Sequence, residues 1–157
     1  MERDYQHRRD RARKLYEAIG SVRCPYLDEA VSFNAKGWHH LRYSAGNERS
    51  KEAQKLKFSL LPAARRIVQR SGTVQEYRRQ NIPMGPERRI QQVEYWGFVA
   101  LAGGTNGKER IRVRVVARRE GNGSPIFWSI MPAMKLKNGE DAYDQMMRLA
   151  PDDIVDG

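Results

Sequence analysis

Two adjacent histidines, His39 and His40, are the side chains of this chain best suited to move protons near neutral pH, since imidazole has an unperturbed pKa of about 6.5. They lie in the run Gly37-Trp38-His39-His40-Leu41. If Trp38 and Leu41 turn inward three residues apart, the two rings cannot point the same way, and one of them should face a cleft. The plain alternative is one core histidine and one surface histidine. A zinc site is a poor fit, because adjacent histidines rarely chelate one tetrahedral ion and the chain has no CxxC or HExxH partner. The single cysteine, Cys24, has His39 and His40 as its candidate activating partners, and a lone structural thiol is the simpler reading. Ser129 stands out in the apolar run Ile126-Phe127-Trp128-Ser129-Ile130-Met131, where a small residue can also simply relieve crowding.

The elements that must position these residues follow from periodicity. Residues 3 to 19 are rich in Arg, Lys, Ala and Glu and carry a thin apolar stripe of Tyr5, Ala12, Leu15, Tyr16 and Ile19, which predicts a helix ended by Gly20-Ser21. Val31 and Phe33 alternate with Ser32 and Asn34 as a half-buried strand. Tyr43 to Asn47 reads as a loop. From Ser50 to Arg70 apolar residues recur at helical spacing opposite a basic face, with Pro62 expected to kink or split the helix. Thr73 to Tyr77 alternates as a short strand, and Arg78 to Arg89, with two prolines and a glycine, reads as a loop. A strong strand follows through Tyr95 and Trp96, with a turn signal at Gly103 to Gly107. In the answering strand Ile111, Val113 and Val115 alternate with Arg112, Arg114 and Val116, giving one apolar and one basic face. Simple alternation in the last strand puts Phe127, Ser129 and Met131 on one face. A helix fits Glu140 to Leu149 within an acidic segment, 139–157. The expected fold is therefore α+β: N-terminal helices packed on a three- to four-stranded antiparallel sheet, with a C-terminal helix, in one domain spanning 1–157.

A formal charge of +10 in 157 residues favours polyanionic partners, and nucleic acid is the commonest of these for a small domain. No apolar run is long enough to span a bilayer, and the N-terminus lacks the apolar stretch of a signal peptide. A cytoplasmic protein without membrane association is expected. No Gly-rich phosphate loop, carboxylate pair or acidic magnesium cluster is evident, so NTPase and glycosidase chemistry finds no support and no cofactor or metal is expected.

Taken together, the Gly-Trp-His-His-Leu motif, the basic helix with Leu60-Leu61-Pro62, the Tyr95-Trp96 strand, the strand Val113 to Arg118 and the closing Phe127 to Pro132 resemble the phage and mobile-element branch of the barnase, EndoU, colicin and RelE-like (BECR) nucleases, over roughly residues 30 to 132. The resemblance implies helices followed by a four-stranded antiparallel sheet, and a metal-independent ribonuclease toxin paired with an antitoxin or immunity protein. RNA is favoured over DNA as substrate. It places the family's G-x-x-H-[IL] histidine on His40 and its small hydroxyl residue on Ser129, as catalytic groups. Arg49, Lys51 and Lys55, with Arg112 and Arg114 of the sheet, are the implied phosphate-binding cations. His39 is an additional proton carrier that the family pattern does not require. A second catalytic His or Glu on the sheet is missing from the pattern, and Tyr77 and Tyr95 are the candidates to replace it. The implied chemistry is attack of the 2′-hydroxyl to leave a 2′,3′-cyclic phosphate. The contrasting reading is a nucleic-acid-binding accessory protein of a phage or mobile element that uses the same basic surfaces without cleavage.

Overall fold

The computed structural model describes residues 2–103 and 110–133. Its element order is α1 (Glu2–Ile19), β1 (Ser21–Cys24), β2 (Glu29–Ser32), α2 (Ala35–Arg42), β3 (Tyr43–Ser44), β4 (Asn47–Glu48), α3 (Lys51–Arg70), β5 (Glu76–Met84), β6 (Arg89–Gly103), β7 (Arg110–Glu120) and β8 (Ile126–Pro132). Six strands form one mixed sheet in the order β1-β2-β8-β7-β6-β5, and β3 with β4 forms a separate small hairpin. Every pair in the large sheet is antiparallel except β2 and β8, which run parallel and meet only at Ser32 and Ile126.

This sheet corrects the expected three- to four-stranded antiparallel one: β1 and β2 join it, β2 in parallel beside β8, and β5 runs on beyond the strand expected at Thr73 to Tyr77. The segment Arg78 to Arg89 looks like a loop because of Pro83, Gly85 and Pro86, but Pro83 falls on β5, the outermost strand, where alternate N–H groups face away from the sheet and a missing one is tolerated. The turn then closes through Gly85 and Arg88, both at positive φ. At the other edge, Ser21 to Cys24 is too short to stand out in sequence, yet it pairs fully with β2 and buries Val22 and Cys24. The predicted turn after Gly103 and the predicted helix from Glu140 to Leu149 lie outside the described residues.

One face of the sheet presents Phe98, Val113, Val115, Ala117, Phe127 and Ile130, and the three helices cover it. Phe33 stacks on Phe127 with centroids 4.8 Å apart, and Trp38 stacks on Phe58 at 5.6 Å, which fixes α2 between the sheet and α3. The predicted stripe of α1 places Tyr5, Ala12 and Tyr16 in this core, with Leu15 at its margin. Helix α3 is capped by Ser50, whose Oγ accepts from Ala53 N at 3.1 Å, and it continues unbroken across Pro62. The proline sits on the exposed side, and Phe58, Leu61, Ala63 and Ala64 beside it are packed firmly enough to hold the helix through the lost hydrogen bond.

The opposite face of the sheet presents Val93, Tyr95, Val116, Trp128 and Met131. Strict alternation along β8 fails because a bulge inserts Trp128: Ala117 pairs with Phe127 and Val116 with Ser129. Ser129 therefore shares its face with Val116, while Phe127 packs under the helices.

Glycine in the Gly-Trp-His-His-Leu motif has a packing cause. A Cβ on Gly37 would collide with the Phe127 carbonyl oxygen and the Tyr16 hydroxyl, so only glycine lets α2 lie this close to β8. Replacing it, Gly37→Ala, is expected to cost at least about 2 kcal/mol in a urea denaturation curve, the usual result of overpacking a tight contact. A variant as stable as the native protein would show that α2 can move off the sheet freely.

Candidate nucleic-acid interface

The site begins with a backbone problem on β8. Strand β2 pairs with β8 at Ser32 and Ile126, where Ser32 N also donates to Pro125 O at 3.1 Å, and then leaves the sheet through Phe33 and Asn34. Asn34 caps α2 by accepting from Gly37 N at 3.1 Å. Beyond Ile126 no strand among the described residues lies beside this edge of β8. Its outward carbonyls, Trp128 O and Ile130 O, are buried there and require donors. Helix α2 supplies one and α3 the other: His40 Nδ1 lies 2.8 Å from Trp128 O, and Lys57 Nζ donates to Ile130 O at 3.0 Å.

A carbonyl oxygen only accepts, so Nδ1 of His40 carries the proton in this contact. The imidazole also stacks on the Trp128 ring with centroids 4.2 Å apart. Its other nitrogen, Nε2, faces Arg49 Nη2 at 3.4 Å, and a guanidinium only donates. Arg49 reaches this position because the β3–β4 hairpin turns tightly at Ala45 and Gly46, both at positive φ, and Arg49 Nε then donates to the His40 carbonyl at 3.1 Å. His40 is thus buried with Nδ1 toward the Trp128 carbonyl and Nε2 toward Arg49, both nitrogens engaged. His39 points the other way, exposed and stacked on Tyr43.

Ser129 is only 1% exposed, and its Oγ makes no hydrogen bond among the described residues. Register places it on the same sheet face as Arg114 and Arg118. Arg114 crosses over Gly97, which has no side chain to obstruct it, to pair with Glu76 at 3.5 Å. The guanidinium of Arg118 lies 4.2 Å from the centre of the Trp128 ring and 5.5 Å from that of Tyr95, and its Nε is 3.6 Å from Glu120. His40, Trp128 and Arg118 consequently form one stacked column beside Ser129. Arg118 and Lys57 were not singled out from sequence. For Arg118 the signal was present, because the alternation of Arg112 and Arg114 continues two steps to it; for Lys57, buried in a helix otherwise basic toward solvent, there was none.

The remaining implied cations do not converge on His40. Lys51 donates to Glu2 at 3.0 Å and Lys55 pairs with Asp4 at 3.4 Å, tying α3 to α1. Hydrogen bonding from Arg8, reinforced by Lys55, holds the Asp4 carboxyl below its usual range, and the bond to Glu2 raises Lys51 above its own. Arg112 is exposed at the far end of β7. Tyr77 donates to Glu94 at 2.7 Å, which raises its phenol above the usual value, and Tyr95 is buried beneath Arg118. Cys24 is buried with its sulfur 4.0 Å from Ser71 O, away from either histidine's contacts. Among the described residues no cluster of three or more His, Cys, Asp or Glu is placed to hold a metal, and no helix is long and apolar enough to cross a membrane.

No family model, curated protein or solved structure matches the chain. Between α1 and α3 runs an open groove of about 370 Å³ lined by Arg8, Arg11, Lys55, Ser59 and the apolar edges of Leu15 and Pro62. On the same two helices, Arg3, Arg11 and Lys14 of α1 and Arg65 of α3 are exposed and have no carboxylate partner among the described residues. Which basic residues are paired with carboxylates depends on tertiary neighbours and is not legible in the sequence.

Replacing His40 by alanine is expected to cost about 3 kcal/mol, from a buried carbonyl left without a donor plus the cavity beside Trp128. His40→Asn, whose amide can donate from near the Nδ1 position, should recover about 1 kcal/mol of that in thermal or urea unfolding. Equal stability of all three proteins would contradict the edge-capping role.

Proposed function

We propose that the protein binds nucleic acid through the outer surface of the α1–α3 layer, with RNA favoured on the family resemblance, and that His40 serves the fold. The observation that carries this reading is the set of exposed cations on α1 and α3, Arg3, Arg11, Lys14 and Arg65, that have no carboxylate partner among the described residues, with Arg11 lining an open basic groove. Because the acidic stretch from Glu140 to Asp156 holds six carboxylates against Arg148 alone, the remainder of the chain is more basic than the overall +10. Phosphate contacts from such a surface release counterions, so affinity must fall steeply with salt.

A second reading is favoured by one observation: the buried Oγ of Ser129, without a hydrogen-bond partner among the described residues and in a row with Arg114 and Arg118. A buried polar atom without a partner marks either strain or chemistry. Metal-independent cleavage through the 2′-hydroxyl would use Ser129 and these arginines around the phosphate.

Two measurements test the pair of readings. Binding of a labelled single-stranded RNA should weaken with salt, and the Arg11→Glu, Lys14→Glu double variant should flatten the log–log slope by about 1 to 2. A salt-independent or undiminished interaction would remove the binding reading. Incubation with total RNA in EDTA should leave it intact; cyclic-phosphate ends produced by the native protein and lost in Ser129→Ala would establish the ribonuclease instead.

A further inference from the structure

Besides its outermost strands, the sheet leaves an edge open on β6 among the described residues. Its last pair with β5 is Gly97 with Glu76, yet β6 continues to Gly103. Just past that pair Gln75 N donates to Gly97 O at 3.0 Å, and the Gln75 side-chain oxygen accepts from Val99 N at 2.8 Å, standing in for the missing strand by one hydrogen bond. Backbone groups two residues apart share an edge, so the Val99 carbonyl and both the N–H and carbonyl of Leu101 point the same way. They have no hydrogen-bond partner among the described residues, and Leu101 is 59% exposed.

A cleft of about 380 Å³ runs beside this edge. Residues 99–102 form one wall, and the last two turns of α3, with Arg66 and Arg70, form the other. Both arginines are exposed and have no carboxylate partner among the described residues, and no Asp or Glu lines the cleft. Four helical residues rise about 6 Å, close to the roughly 6.7 Å between alternate residues of a strand. Carboxylates at positions i and i+2 of an added strand therefore match the spacing of Arg66 and Arg70.

We propose that this cleft receives an extended acidic segment of a partner protein, which adds as a strand to the β6 edge at Val99 and Leu101 while alternate carboxylates pair with Arg66 and Arg70. Backbone pairing supplies the docking and the two arginines supply the selection for acidic side chains, the general logic of strand addition. The site is separate from the α1–α3 groove and needs the β6 backbone, which a nucleic acid does not.

The test uses the full chain and a fluorescein-labelled ten-residue peptide with Glu at every second position between Val and Thr, read by anisotropy. A peptide of the same composition with its Glu residues contiguous is the control. The native chain should bind the alternating peptide, and the control, the Arg66→Glu, Arg70→Glu variant and Leu101→Pro should each lose about tenfold or more. Proline on an open edge removes the pairing N–H without breaking the ladder on its other side. Should Leu101→Pro fail to fold, slowed exchange of the native Leu101 amide on adding peptide decides the same point. Undiminished binding by folded Leu101→Pro, or unslowed Leu101 exchange, would overturn the proposal. So would absence of peptide binding, whether the cleft instead held RNA in an Arg66- and Arg70-dependent way or paired with a second copy of the chain.

Discussion

The constraint on which the structure turns is the buried edge of β8. Strand β2 accompanies it for a single pair, and from Trp128 onward its carbonyls would be buried without donors. An orphaned buried carbonyl costs about 1 to 3 kcal/mol, comparable to a large part of the stability of a domain this size. The chain solves this by letting β2 hand over to α2 and α3, whose His40 and Lys57 complete the edge as side chains. Gly37 permits the close approach, the bulge at Trp128 supplies the ring on which His40 stacks, and the β3–β4 hairpin brings Arg49 to the remaining imidazole nitrogen.

That arrangement explains why the residues with the strongest chemical character lie inside. A general base must present a lone pair to its substrate, and the lone pair of His40 is turned to a guanidinium. Exposed cations with no carboxylate partner among the described residues lie instead on the helical layer and at the end of α3. Lys51 and Lys55 are basic in sequence but serve to bind α1 to α3 through Glu2 and Asp4.

Much of the architecture follows from local pattern: the stripe of α1, the period of α3, and the apolar and basic alternation of β7. The sheet was underestimated where local rules conflict with edge position, as at Pro83, and where a four-residue strand such as β1 gains its stability from pairing rather than propensity. Alternation placed Ser129 beside Phe127 because a bulge is invisible in a single sequence. At the site, the sequence isolates His40 but not its role, since an imidazole in a helix reads the same whether it caps a strand 88 residues away or faces a substrate. Neutralisation of lysines by α1 and the β6 edge left without a partner strand among the described residues are likewise tertiary facts.

The most direct test of this account is the ring ¹⁵N spectrum of His40 at neutral pH, recorded without and with RNA. The account predicts a neutral ring protonated at Nδ1, unchanged when RNA binds. A ring protonated at Nε2, or one whose nitrogens shift on RNA addition, would contradict it and return His40 to the reaction.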